Sequence, residues 1–179
     1  MQLTRSFLTS RQKLKILNLT MKILVISDSH YSGRYIAKAF NAEKPDAIIF
    51  LGDGLSGFFE FRDYELPATV DTYVVLGNCD YEYEGEFLTS QVVTLSGVRF
   101  FICHGHTLGV RKGIGDLCNN ACLNDCAYAL YGHTHVKNVA ESCGVTAVNP
   151  GALEKGEYAV IEVKGGKAEI CQKLLPSLK

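Results

Sequence analysis

The chain alternates between short, wholly apolar runs and stretches whose apolar residues recur every three or four positions. Residues 22–27, 47–51 and 72–76 are apolar on both faces of an extended chain and are bounded by Gly, Asp or Asn. That pattern predicts strands buried on both sides. Between the first two, residues 33–41 carry Ile36, Ala37 and Phe40 at helical spacing, and Pro45 closes the segment. Between the second and third, residues 58–64 read as another helix, closed before Pro67. The order β-α-β-α-β implies parallel strands joined by crossover helices.

The pattern then changes. Residues 91–95 and 98–103 flank Ser96-Gly97, a two-residue hairpin turn. A helix is expected over 111–124 and a strand over 127–131. Short strands follow over 136–141, 144–148, 157–163 and 167–172, the last pair joined at Gly165-Gly166. A β-rich second half behind this first half fits an α/β fold of two mixed β-sheets, packed as a sandwich and flanked by helices. No repeat, low-complexity segment or linker interrupts it.

The polar residues that end the apolar runs carry the chemistry. Five runs end on Asp28, Asp53, Asn78, His104 and His133, with His30 and His135 each two residues past a run's end. Four of the chain's five histidines are therefore at strand ends, and the fifth, His106, lies two residues past one. In an α/β sheet, ligands bind beyond the carboxyl ends of the strands. If those strands lie side by side, seven oxygen and nitrogen donors converge. Such a set suits borderline-hard divalent ions such as Mn²⁺, Fe²⁺ or Zn²⁺, and not a thiolate site. Two such ions roughly 3.5–4 Å apart form a clamp for in-line displacement at phosphorus.

Composition sets the bounds. A chain of 179 residues fits one domain with a full core. A net charge of −1 argues against whole-protein attraction to nucleic acid or membrane, and no apolar run approaches the ~20 residues of a membrane span. Arg5, Arg11, Lys13 and Lys15, with no acid among the first twenty residues, make that stretch +4, which leaves −5 for the rest. Residues 1–20 therefore read as a basic extension before a domain spanning 21–179, in preference to a transit peptide. A homo-oligomer is open, and the basic tail could pack on a partner. Seven cysteines, an odd number, with no secretory segment predict free thiols in a reducing cytoplasm. Cys118, Cys122 and Cys126 recur every four residues, which is expected of small core residues rather than a metal site. Phe58, Phe59, Tyr81 and Tyr83 follow the ligand loops and either line a substrate mouth or pack at its rim. Arg111 and Lys112 read as solvated surface.

In chain order the motifs are D-x-H at Asp28–His30, GD at Asp53, GN-x-D at Gly77–Asp80, GH at His104 and GHTH at Gly132–His135. This series resembles the calcineurin-like metallophosphoesterase superfamily from Met21 to about Gly151. Gly77-Asn78-Cys79-Asp80, in place of GNHD or GNHE, points to the small bacterial and archaeal phosphodiesterase branch, to which the retromer scaffold subunit also belongs. The resemblance implies one metal on Asp28, His30, Asp53 and His135, and another on Asp53, Asn78, His104 and His133, with Asp53 bridging. It implies attack on a phosphate ester by a hydroxide shared between the ions. Mn²⁺ is the expected metal, with Fe²⁺, Zn²⁺, Ni²⁺ or Co²⁺ as alternatives. The expected partner is a small phosphate-ester substrate, with no membrane and no specific nucleic-acid binding.

Cys79 stands where larger members carry a histidine thought to protonate the leaving group. A thiol with an ordinary pKa of about 8.5 is a poor substitute acid. Leaving-group help then comes from His106, from metal-bound water, or from nowhere; the second reading of His106 is to orient His104. Asp80 is expected to cap the turn after Gly77 rather than to orient the site loop. Asn149-Pro150-Gly151 resembles the family's NPGS turn, with Ala152 for serine. The rival to an enzyme is a non-catalytic protein-interaction scaffold on the same fold, which has no need of a full ligand set.

Overall fold

The computed structural model describes residues 20–176, so the basic extension, apart from Thr20, lies outside the described residues. The elements are β1 (Met21–Ile26), α1 (Gly33–Glu43), β2 (Ala47–Phe50), α2 (Leu55–Tyr64) and β3 (Asp71–Val74). They are followed by β4 (Ser90–Leu95), β5 (Val98–Cys103), α3 (Gly115–Leu123), β6 (Tyr128–Leu130) and β7 (Asn138–Ser142). Then come β8 (Val145–Asn149), β9 (Glu157–Lys164) and β10 (Lys167–Leu174).

Two five-stranded mixed sheets form, in the orders β10-β9-β1-β2-β3 and β4-β5-β6-β8-β7. In the first, β1, β2 and β3 are parallel and in step: Ile26 pairs with Phe50, and Phe50 with Val74. Their carboxyl ends, and hence Asp28, Asp53 and Asn78, leave the sheet side by side. In the second, β5, β6 and β8 are parallel, with Ile102 beside Leu130 and Leu130 beside Val148. That register sends out His104 next to His133.

Each strand face has its own partner, which explains the continuous apolar runs. Ile23, Val25, Ile49 and Leu51 pack between the sheets against Phe100, Ile102, Leu130 and Val148. Leu24, Ile26, Ile48 and Phe50 face the other way, onto Ile36 of α1 and Phe58 and Phe61 of α2. Phe50 and Phe58 are fully buried and stacked at 4.8 Å. Each contributes about 2–3 kcal/mol by leaving water. Phe101, Cys103, Ala129 and Ala147 pack on Leu117, Cys118 and Ala121 of α3. Four layers result, helix–sheet–sheet–helix, as the sequence pattern predicts.

Local departures have local causes. The third helix begins at Gly115 rather than 111, because Gly113 adopts φ +149°, outside any helix. Hairpin turns at Ser96-Gly97 and Gly165-Gly166 have positive φ at both positions, as type I′ turns require, and Cys143-Gly144 forms a third. Cys118 and Cys126 are core residues as expected, whereas Cys122 faces solvent.

Candidate metal centre

The loops leaving β1, β2, β3, β5 and β6 meet at one edge of the sandwich. Backbone bonds lace them together: Asp28 N–H donates to Gly52 O (2.9 Å), His30 N–H to Asp53 O (2.9 Å) and Gly132 N–H to His104 O (3.0 Å). Nine non-glycine residues among those described have positive φ, and five of them are Asp28, His30, Asp53, His133 and His135. Each such residue costs on the order of 1–3 kcal/mol, and strain of this kind gathers at sites where side-chain aim matters. Gly77 permits a close approach. A Cβ there would overlap the Asp53 carboxylate and its backbone N.

The donors fall into three overlapping groups. Asp28, His30 and His135 bring ligand atoms within 4.8 Å of one another, as do Asp28, Asp53 and His104. A third group joins His30, Asp53 and Cys79, so Asp53 reaches both halves. Asn78 Oδ1 lies 3.1 Å from His104 Nε2, and the His133 ring packs edge-on to His104 at 5.1 Å. His133 N–H donates to Asp28 Oδ2 (3.1 Å), tying the sheets together at the site.

The hydrogen-bond pattern fits a bound cation. His104 Nδ1 faces the Leu51 carbonyl at 2.7 Å and must donate to it, which leaves Nε2 directed at Asn78 Oδ1 and, at 3.4 Å, at Asp53 Oδ2. His135 repeats this arrangement. Its Nδ1 donates to Glu154 Oε1 (3.2 Å), while Nε2 faces Asp28 Oδ1 (3.1 Å) and His30 Nε2 (3.4 Å). Asp28 Oδ1 is buried with no hydrogen-bond donor. Acceptors aimed at one another repel unless a proton or a cation lies between them, and a divalent ion would meet that need for the whole set. Mixed carboxylate, amide and imidazole donors suit such an ion.

Without a metal, a proton ties part of the set together. Burial raises the Asp28 pKa, because nothing nearby fully offsets the lost hydration. Burial would also raise Asp53, but the hydrogen bond and charge of His104 outweigh it and hold Asp53 well below the carboxylate range. Reciprocally, burial would lower His104, and the bond to Asp53 outweighs it and raises it. His133 is depressed to about 4 by burial, then by the nearby charges of His104 and Arg111. It is therefore a neutral imidazole, the form that ligates metal, at physiological pH.

One supporting residue, Glu154, escaped the sequence reading, and another, Asp80, does more than the cap preferred for it. Asp80 was expected to cap its own turn, and its Oδ2 does accept the Gly77 N–H (3.0 Å). Its other bonds correct that picture. The carboxylate also accepts N–H groups of Asp53 (2.7 Å), Gly54 (2.8 Å) and Leu55 (2.9 Å), across the sheet. Asp80 thus holds the Asp53 loop and caps α2, which lets that helix begin at Leu55 instead of 58. Glu154, reached through the turn after Asn149-Pro150-Gly151, orients His135. Glu154→Gln should weaken metal binding by roughly 10-fold or more, read by calorimetric titration of Mn²⁺; equal affinity in variant and parent would refute this role. Asn149 is buried and donates to Gly132 O (2.8 Å), steadying the loop that carries His133.

Cys79 and His106 flank the centre differently. Cys79 is exposed, and burial of its sulfur and the neighbouring Asp53 carboxylate push its thiol up to about 11. The His106 ring lies tilted at 5.4 Å from His104, its Nδ1 buried without a partner, and burial and the His104 charge lower its pKa. No hydrogen bond links His106 to His104 among the described residues, so the orienting role falls to the Leu51 carbonyl. Arg111, expected as plain surface, donates to His133 O at 3.4 Å.

Comparison with known proteins gives the same reading. The model of the calcineurin-like phosphoesterase superfamily domain matches residues 21–166. A probable metallophosphoesterase of Mycoplasma pneumoniae is 31% identical over 137 residues, covering 74% of this chain and 79% of that protein. A phosphodiesterase of Methanocaldococcus jannaschii is 28% identical over 151 residues, covering 73% and 83%. The solved structure of vacuolar protein sorting 29 from Cryptosporidium parvum superposes with a TM-score of 0.68 at 18% identity, covering 87% of this chain and 98% of that one. That last likeness is one of fold. The chain belongs to the calcineurin-like phosphoesterase superfamily.

Proposed function

We propose that the protein is a phosphodiesterase dependent on two divalent metal ions, with Mn²⁺ as the working metal. The observation that carries this reading is the gathering of carboxylate, amide and imidazole donors from Asp28, His30, Asp53, Asn78, His104 and His135 at one edge, with Asp28 Oδ1 buried and without a hydrogen-bond donor. Asp28, His30, Asp53 and His135 would hold one ion, and Asp53, Asn78, His104 and His133 the other. Such ions supply Lewis acidity to phosphoryl oxygens and lower the pKa of an attacking water. The side chains supply the rest. Leu51 and Glu154 fix the tautomers of His104 and His135, and Asp80 fixes the backbone that aims Asp53. The phosphodiesterase name of the M. jannaschii relative supports a diester substrate. A scaffold would need none of these seven donors. Metal-dependent hydrolysis of bis(p-nitrophenyl) phosphate tests the proposal: turnover should appear with Mn²⁺ and vanish with chelator. Tight metal binding without turnover under any divalent ion would favour the scaffold.

Leaving-group chemistry should be weak. Burial raises the Cys79 thiol and lowers the His106 imidazole, so neither is a ready acid. Activated esters should therefore be cleaved far better than alkyl esters. Cys79→His should raise kcat on alkyl esters by roughly 10²-fold, the usual scale of general acid catalysis, with less gain on p-nitrophenyl esters. His106→Ala should leave the alkyl rate unchanged, because a neutral ring gives no proton. No gain in Cys79→His, or a large loss in His106→Ala, would refute the idea.

A further inference from the structure

We propose that the groove between α1 and α2, opening beside His30, binds the nucleoside portion of a phosphodiester substrate. This rests on the phosphodiesterase reading above. A cavity of about 710 Å³ begins at His30 and runs between the two helices. The residues α2 lends to it include Ser56, Gly57, Glu60 and Tyr64, with Glu65 just past the helix end. Their spacing marks one face of a helix, about 13 Å long from 56 to 65 at 1.5 Å per residue. The floor is small. A Cβ on Gly33 would meet Gly57 Cα at 3.4 Å, so the helices touch there and leave a slot above.

The walls suit a heterocycle. Tyr31 is 105% exposed at the metal end and Tyr64 is 86% exposed at the far end, so both rings present bare faces. A smaller cavity of about 130 Å³ shares His30, Tyr31 and Ser56 and adds Tyr81, itself 74% exposed. Three of the eight large exposed apolar or aromatic residues among those described thus line the two cavities that meet at His30. Bare aromatic faces beside a phosphate-handling site stack bases whatever their sequence. Glu60 and Glu65 can accept from the exocyclic amine of adenine, guanine or cytosine. Arg34, which has no carboxylate partner among the described residues, offers donors to a ribose hydroxyl or a further phosphate. A glycerol or alkyl diester would leave the tyrosines uncovered.

The test holds the leaving group constant. Adenosine 5′-(p-nitrophenyl phosphate) and methyl p-nitrophenyl phosphate are compared on the Mn²⁺-loaded full chain. The adenosine ester should have at least a 10-fold higher kcat/KM, mostly through KM, and Tyr31→Ala and Tyr64→Ala should each pull the ratio of the two substrates toward one. A wild-type ratio near one, or a ratio that both variants leave intact, overturns the inference while methyl-ester turnover keeps the phosphodiesterase reading alive. If neither ester is cleaved, that reading fails, and calorimetric titration of adenosine 5′-monophosphate decides the groove alone. Binding weakened by both tyrosine variants supports it, and absent or unaffected binding overturns it.

Discussion

Asp53→Asn should remove turnover, with kcat/KM on an activated phosphodiester falling by about 10³-fold or more while the fold survives. The carboxylate reaches both halves of the site, grouped with His30 on one side and with His104 on the other. Several kcal/mol of transition-state stabilisation attach to the metals it helps to hold, and each 1.36 kcal/mol is a factor of ten in rate. The fold survives because an asparagine oxygen can still accept the Cys79 N–H, which Asp53 Oδ1 now accepts at 2.8 Å. The metal-free protein offers a second readout. The folded pKa of Asp53 is depressed from 3.8, so its contribution is present above that value and is lost as pH falls through the lower folded one. His104 is raised from 6.5, so its contribution is full below 6.5 and is lost as pH rises through its folded value. The pair therefore stabilises the metal-free chain across a window reaching from below 3.8 to above 6.5. Thermal unfolding across pH should show this plateau in the parent and a flattened profile in Asp53→Asn. Full activity in the variant would contradict the assignment.

Asp80→Ala should be the most destabilising single change at the site. The carboxylate accepts four backbone N–H groups, from Asp53, Gly54, Leu55 and Gly77. Hydrogen bonds to a charged group contribute about 1.5–3 kcal/mol each, and buried donors left unmet cost more, although the four are not additive. A net loss of about 4 kcal/mol is expected, which corresponds to roughly 10 °C in Tm for a domain of this size. Metal affinity should fall with it, because the backbone that aims Asp53 comes loose. Asp80→Asn, which keeps one oxygen, should fall between. A calorimetric scan of each variant, with and without Mn²⁺, checks both effects. A Tm within 2 °C of the parent for Asp80→Ala would show that other contacts hold the loop.

The layers and the ligand positions were legible in the sequence because both are local patterns. A strand buried on both faces reads as an apolar run, and its carboxyl end is the next polar residue. Asp28, Asp53, Asn78, His104 and His133 followed from that alone, and the parallel register of β1, β2 and β3 brings the first three together. The supporting residues were hidden because their partners are distant in sequence. Asp80 looked like a local cap, yet three of its four bonds cross 25 to 27 positions. Glu154 sits nineteen positions past His135, on the far side of a hairpin, and only the fold makes them neighbours. The left-handed backbone at five of the candidate ligands is likewise invisible in residue type, since Asp and His carry no signal as strong as glycine's. The open groove beside His30 could not be read either. Tyr31 and Tyr64 drew no comment in the sequence, because exposure of an aromatic ring is set by what the chain fails to place over it.

The central claim is that two divalent ions sit at the edge where the two sheets meet. Anomalous diffraction from crystals of the full chain soaked in Mn²⁺ tests it most directly. Two peaks are predicted, one among Asp28, His30, Asp53 and His135 and one among Asp53, Asn78, His104 and His133. No peak at these residues, or a single ion that leaves one of the two sets without a ligand role, would contradict the account.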